Sequence, residues 1–232
     1  MFWKKWWKTI VVIVGIIALT VGGIVLANNM SKTGDIALDD DFTSKFIDRS
    51  VEVDDGFHFF ESQNGHYTMW FPSGYYLKKE GPMYVSKDHY ESLSFYEEKA
   101  RENKLESGEF VGRIQTRYSG GDVTQGIIDI DLKILLDDLS YNGEHEKMET
   151  EDTIIYYGSS NYGLKDKRAF ITNPKESYAN RYFALVQNKE GDQLVTVDYK
   201  LHCRDEDESV CGNNSEQESI FFDTFIRNIK FR

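Results

Sequence analysis

The chain has 232 residues, with 27 Lys+Arg against 39 Asp+Glu and a net charge of −12. Residues 1–27 hold three lysines and no acid, so the rest carries 24 Lys+Arg against the same 39 acids, a net of −15. Such a balance excludes a nucleic-acid-binding class, which needs clustered cations facing phosphates, and it opposes anionic lipid head groups and anionic wall polymers.

Thr9–Ala27, TIVVIVGIIALTVGGIVLA, carries no charge. As a helix it spans roughly 28 Å, close to the hydrocarbon thickness of a bilayer, and predicts a transmembrane anchor over residues 9–27. The flank 1–8 supplies Trp3, Lys4, Lys5, Trp6, Trp7 and Lys8 as membrane-interface anchors. Lysines hold that end in the cytoplasm and tryptophans prefer the head-group layer. The expected topology is single-pass, with a cytoplasmic N-terminus and an extracytoplasmic C-terminal domain. Val25-Leu26-Ala27 also fits a cleavage site, so secretion after cleavage near Ala27 is the alternative. No cysteine follows the run, which excludes a lipid-modified N-terminus.

Residues 28–56 mix turn formers and acids with few apolar residues and read as a polar stem. Asp39, Asp40 and Asp41 lack the spaced oxygen ligands and central glycine of a Ca²⁺ loop and read as solvated.

The extracytoplasmic domain is expected over 57–232. FHFFESQNGHYTMWFP reads as a hairpin around Asn64-Gly65, pairing Phe60 with Met69 and Phe59 with Trp70. Both faces of that hairpin are largely apolar, which implies layers above and below the sheet. Leu93 and Phe95 suit an extended segment, whereas EEKARENKLE prefers helix. Arg113–Tyr118 reads as a strand. In GIIDIDLKILLDDL, isoleucines alternate with Asp129, Asp131 and Lys133, which favours period two and a strand. Thr153–Tyr157 and Lys167–Thr172 read as strands with Gly158–Gly163 as a loop. Two more strands flank Lys189–Asp192, and a helix closes the chain. Ser215 and Glu218 form its capping-box pattern, with Ile220, Phe221, Phe225 and Ile229 at helical spacing and Asp223 and Arg227 opposite.

Cys203 and Cys211 are the two cysteines, and their even count and close spacing favour a disulfide outside the cytoplasm. Two thiolates without a CxxC partner match a metal site poorly. Asn213-Asn214-Ser215 matches a glycosylation sequon.

The stretch Tyr67-Thr68-Met69-Trp70-Phe71-Pro72-Ser73-Gly74-Tyr75 and the ending Phe225-Ile226-Arg227-Asn228-Ile229-Lys230-Phe231 resemble the Mog1/PsbP-like domain. The resemblance implies an antiparallel sheet between helical layers, with a closing helix running into a last short strand. The anchor before it looks like those of Gram-positive surface proteins. The expected fold class is therefore α+β: an antiparallel sheet with helices on both faces, preceded by one transmembrane helix. Relatives of this kind act as binding or assembly factors, which implies a module without a shared catalytic residue.

Three functions compete. The first is a membrane-tethered, non-catalytic extracytoplasmic module that binds or assembles another protein at the cell surface, its partners being the membrane and an unidentified surface protein, with no nucleic acid. The second is a surface hydrolase, for which His58, His66, His89, His145 and His202 are available, none in HExxH or beside a nucleophile elbow. Asp129 and Asp131 have no matched acid–base partner. The third is glycan or small-ligand binding through Tyr156, Tyr157, Tyr162, Tyr178 and Tyr182. Catalytic and metal-binding residues are expected to be none, and so are cofactors.

Overall fold

The structure, a computed structural model, describes residues 32–102, 109–121, 123–138, 145–165, 168–172, 179–203 and 215–232. The expected hairpin is its clearest local unit. Strands β1 (Phe57–Glu61) and β2 (Tyr67–Pro72) pair antiparallel, with Phe60 opposite Met69 and Phe59 opposite Trp70. Gly65 adopts φ +77° and its N–H donates to Ser62 O at 3.0 Å, closing the turn in a conformation that strains any side chain. At the far end of the chain, helix α4 (Ser215–Arg227) runs into β12 (Lys230–Phe231), which pairs with β2 and makes a three-stranded sheet. The closing helix and last strand implied by the family resemblance are thus present.

A second, nine-stranded sheet is assembled among the described residues from the remaining strands. Strands β3 (Tyr75–Leu77) and β4 (Tyr84–Lys87) both pair with β5 (Tyr90–Glu97), which pairs with β6 (Phe110–Gly120). The sheet continues through β11 (Gln193–Cys203), β10 (Arg181–Asn188) and β8 (Thr153–Lys165). Strands β7 (Glu146–Glu149) and β9 (Arg168–Thr172) add to β8. The hairpin β10–β11 turns through Gly191 as its sequence predicts.

The two sheets pack face to face. Phe60, Tyr67, Met69 and Phe71 of the small sheet meet Leu93, Phe95, Ile114, Val195 and Val197 of the large one, all fully buried. Phe46, Phe60 and Phe71 stack in sequence at 5.5 and 5.8 Å, and Phe71 meets Phe95 edge-on at 5.1 Å. Helix α4 completes this layer with Phe222, Phe225 and Ile226, and Ile229 joins it just beyond the helix end. Its buried face lies one step round from the expected one, because Ile220 is 61% exposed. The Asp223–Arg227 pair forms as expected, at 2.6 Å.

The expected fold class is corrected by this arrangement. Strand makes up 47% and helix 25% of the described residues, and the layer over the inner face of the large sheet is mainly a second sheet rather than helices. The apolar second face of the hairpin does not need another layer, since Phe57, Phe59 and Trp70 stay only half-buried. Among the described residues no helix is long and apolar enough to cross a membrane. Thr9–Ala27 and its flanking Trp3, Lys4, Lys5, Trp6, Trp7 and Lys8 lie outside them.

Three local expectations also change. Gln125–Asp138 is helix α3, not a strand: Ile128 is buried with Leu132 and Leu135 packed beside it, while Ile130 and Ile134 are 58% and 45% exposed. The i, i+4, i+7 spacing of the first three overrides the alternation. The expected loop 158–163 is strand, because β8 continues through Ser160 against β10 and on against β9. The expected stem is part of the domain: α1 (Ile36–Asp39) and the following turn bury Ala37, Thr43, Phe46 and Ile47, and Ile47 bridges to Phe60. A short helix, α2 (Glu98–Glu102), follows β5, so the ambiguous segment is strand first and helix after.

Candidate functional site

Side chains on the large sheet alternate between the packed inner face and an outer face. Outward go Arg113, Gln115 and Arg117 of β6, Leu194, Thr196, Asp198 and Lys200 of β11, and Arg181 and Leu185 of β10, opposite the inward core residues. Helix α3 covers only part of this face, where Ile128 packs on Leu185 and Leu194 with Tyr156 alongside. Beside the helix a cleft of about 270 Å³ opens, lined by Arg117, Asp131, Ile134, Thr196, Asp198 and Lys200 among others. Burial pushes the Asp131 carboxyl up, and Arg117 pulls partly against it. Lys200 Nζ pairs with Asp198 Oδ2, while Asp198 Oδ1 is buried without a hydrogen-bond partner.

Away from the helix, register lines up a cross-strand row. Arg181 lies opposite Lys200, Lys200 opposite Arg113, Arg113 opposite Tyr96, and Tyr96 opposite Tyr76. Three cations therefore sit on adjacent strands of a strongly acidic chain. Aromatic rings hold the outer two: Arg181 lies 3.8 Å over Tyr162, and Arg113 lies 5.3 Å over Tyr96 with Lys78 on the same ring at 4.8 Å. Arg113 Nε is buried and makes no hydrogen bond. His202 follows two residues after Lys200 on the same strand face. Its pKa is lowered first by burial and then by Arg181, Arg113 and Lys200, so the imidazole senses all three cations.

The histidines expected to serve a hydrolase are dispersed. His58 Nε2 meets Asp35 Oδ2 at 2.6 Å and Ser73 Oγ at 3.2 Å. A serine-hydrolase triad puts the serine and the carboxylate on different ring nitrogens, whereas here one nitrogen faces both. The cluster is instead a clasp. Asp35 caps α1 through Ala37 N–H at 3.0 Å and accepts from Gly74 N–H at 2.9 Å, tying the N-terminal segment to the turn after β2. Burial opposes ionisation of Asp35, but these amides and His58 together hold its carboxyl below the ordinary range. His66 and His89 both reach Asp88, at 3.5 and 3.1 Å, and His66 stacks on Tyr118. His145 packs edge-on against Tyr156.

The remaining proposed residues separate likewise. Asp129 is exposed and takes a hydrogen bond from Gln125 at 2.9 Å, while Asp131 turns to the cleft. Asp39 accepts from Thr33 and Gly34 amides, and Asp40 from Phe42 and Thr43 amides, so these two carboxylates cap backbone rather than float in solvent. Among the described residues no group of three or more His, Cys, Asp or Glu is placed to hold a metal. Tyr182 is buried in the core, Tyr156 lies under α3, and Tyr157 donates to Glu146 at 2.8 Å on the opposite face. With Tyr162 beneath Arg181, the described tyrosines share no single platform, and Tyr178 lies outside the described residues. Cys203 ends β11 and is not a free thiol; Cys211 and Asn213 lie outside the described residues. Glu218 of α4 accepts the Tyr199 hydroxyl at 2.5 Å.

The row Arg181–Lys200–Arg113 escapes sequence reasoning, since the three cations are far apart in the chain and only strand register joins them. The alternation of Lys200 and Asp198 with Val197, Tyr199 and Leu201 was the available signal that these side chains face outward.

A family model, YvcA_Mog1p, described as "Putative lipoprotein YvcA", matches residues 35–230. Its start coincides with Asp35, the first residue of the clasp, and it supports the Mog1/PsbP-like resemblance. No curated protein matches the sequence. A crystal structure from Bacteroides thetaiotaomicron VPI-5482 is similar at 12% identity and a TM-score of 0.39, over 75% of this chain and 48% of that one. The chain thus spans about half the length of that protein.

Proposed function

The chain belongs to the YvcA_Mog1p family, and from that premise we propose that it is a surface-tethered, non-catalytic module that binds or helps assemble another protein. The observation that carries this reading is the open row Arg181–Lys200–Arg113, a local concentration of cations on a chain with net charge −12. A surface so unlike its surroundings selects partners by electrostatic complementarity. The single-nitrogen geometry at His58 supports the absence of hydrolytic chemistry there.

The family's description as a lipoprotein supports a membrane-associated location. Lipid modification of an N-terminus uses a cysteine, and the cysteines of this chain are at 203 and 211. We therefore propose attachment through Thr9–Ala27 itself, with the folded domain outside. Alkaline carbonate extraction of membranes tests this: the protein should stay in the membrane fraction, and release into the wash would overturn it.

Proximity labelling from the surface domain in its native cell tests the binding role. One surface protein should be enriched repeatedly over a tethered control domain. Turnover of a substrate in a hydrolase panel, abolished by His58→Ala, would replace the binding role with catalysis.

A further inference from the structure

We propose that the outer-face row Arg181–Lys200–Arg113, with the cleft beside α3, binds an extended acidic segment of a protein partner in which carboxylates alternate with apolar residues. The proposal rests on the binding role above and names the chemistry of the partner at that site.

Charge is the first support. Among the described residues, Arg113, Arg117, Arg181 and Lys200 share this face, the acids lining the cleft are Asp131 and Asp198, and Asp198 is paired with Lys200. The whole chain has the opposite sign. An acidic partner is therefore repelled by most of the surface and attracted here, which fixes where it docks as well as whether it does.

Hydrogen bonding is the second. A ring beneath a guanidinium satisfies its flat face and holds its plane, while the N–H edge remains for a carboxylate. Arg181 on Tyr162 and Arg113 on Tyr96 are both held in this way; one terminal nitrogen of Arg113 donates to the Met83 sulfur at 3.8 Å, and its Nε is buried. The donor fork of Arg181 matches a carboxylate in two-point fashion, and Arg113 adds its charge and its other terminal N–H group. Adjacent strands lie about 4.8 Å apart, so the three cations span about 10 Å, the reach of roughly three to four extended residues.

Apolar surface is the third, and it decides between ligand classes. Ile127, Ile130 and Ile134 of α3 are 39%, 58% and 45% exposed, and Ile134 lines the cleft. Met83 lies at the other end of the row, accepting the Tyr96 hydroxyl through its sulfur at 3.6 Å. A phosphate polymer would satisfy the cations and leave these groups wet. A peptide with Leu or Val between its acids covers both.

The full-length chain in detergent micelles is titrated with a short peptide of alternating Glu and Leu, its Gln/Leu counterpart, and inorganic polyphosphate. The Glu/Leu peptide should bind, weaken with added salt, and exceed the Gln/Leu peptide by about tenfold or more, the scale of one lost charged hydrogen bond. The double variant Arg113→Gln/Arg181→Gln should lose about tenfold in affinity or more. Lys200→Gln, which leaves both stacked rings untouched but removes the ion-pair partner of Asp198, should give a smaller loss in affinity with cooperative unfolding kept at a lower melting temperature. Equal binding of the two peptides, binding indifferent to all three substitutions, or preference for polyphosphate would each overturn the proposal. If proximity labelling enriches the same surface protein with wild type and double variant alike, the row is not the docking site while the binding role stands. If labelling enriches nothing while the peptide binds, the binding role falls by itself.

Discussion

Glu91 is the residue whose environment most changes its chemistry. Its side chain is buried between the sheets, accepting the Tyr67 hydroxyl at 2.8 Å and the Gln63 amide at 3.0 Å, and burial pushes its carboxyl up. A raised folded-state pKa means that the folded protein holds its proton longer than the unfolded chain does. Its contribution is complete below the ordinary glutamate range and is lost as pH rises through the raised value. Glu91→Gln removes the charge and keeps the shape. Urea unfolding between about pH 4 and 8 should show the variant gaining on wild type as pH rises. A constant difference would disprove the assignment. Gly112 is a second constrained residue, because a Cβ there would fall 1.9 Å from Tyr75 Oη and 3.3 Å from the Tyr199 ring. Gly112→Ala should cost about 1–3 kcal/mol by overpacking, measured by thermal unfolding.

Among the elements, α3 separates two readings of one sequence. As a strand, Ile128 and Ile130 would share a face and cost the same when truncated. As the helix observed, Ile128 is 1% exposed over Leu185 and Leu194, and Ile130 is 58% exposed. Ile128→Ala should lose about 3 kcal/mol of stability, and Ile130→Ala should stay within about 0.5 kcal/mol. Similar losses in chemical denaturation would argue for the strand. The alternation misled because charged residues fall between isoleucines on both periods, and nothing in the chain shows that Leu185 and Leu194 offer an apolar seat. The hairpin β1–β2 was legible for the opposite reason: Asn-Gly sets the turn locally, and the turn sets the register.

At the scale of the whole molecule, the N-terminal segment decides where the domain begins. Residues 35–47 bury Ala37, Phe46 and Ile47, Thr43 Oγ1 accepts from Leu77 N–H at 2.9 Å, and Asp48 N–H donates to Phe59 O at 2.9 Å. Each large apolar side chain contributes about 1.5–3 kcal/mol, and together they approach the net stability of an ordinary domain. A chain beginning at Phe57 should therefore lose cooperative unfolding, whereas one beginning at Lys32 should keep it. Near-UV circular dichroism against temperature distinguishes them. Toward the far end, non-reducing peptide mapping should recover Cys203 and Cys211 as one linked species. Reduction of that bridge should lower stability by about 2–3 kcal/mol, and two free thiols would refute the pairing.

The sequence by itself determined the local and the compositional features. These are the charge-free run Thr9–Ala27, the acidic balance of residues 28–232, the hairpin register, the β10–β11 pair, and the closing helix with its Asp223–Arg227 pair. Each depends on neighbours a few residues apart or on a sum over the chain. Tertiary structure alone decided that α3 is a helix, that residues 35–47 belong to the core, that a second sheet rather than helices covers the large one, and that Arg113, Lys200 and Arg181 form one row. Those outcomes depend on which strands become neighbours, and pairing brings together residues that periodicity, measured along one segment at a time, cannot relate.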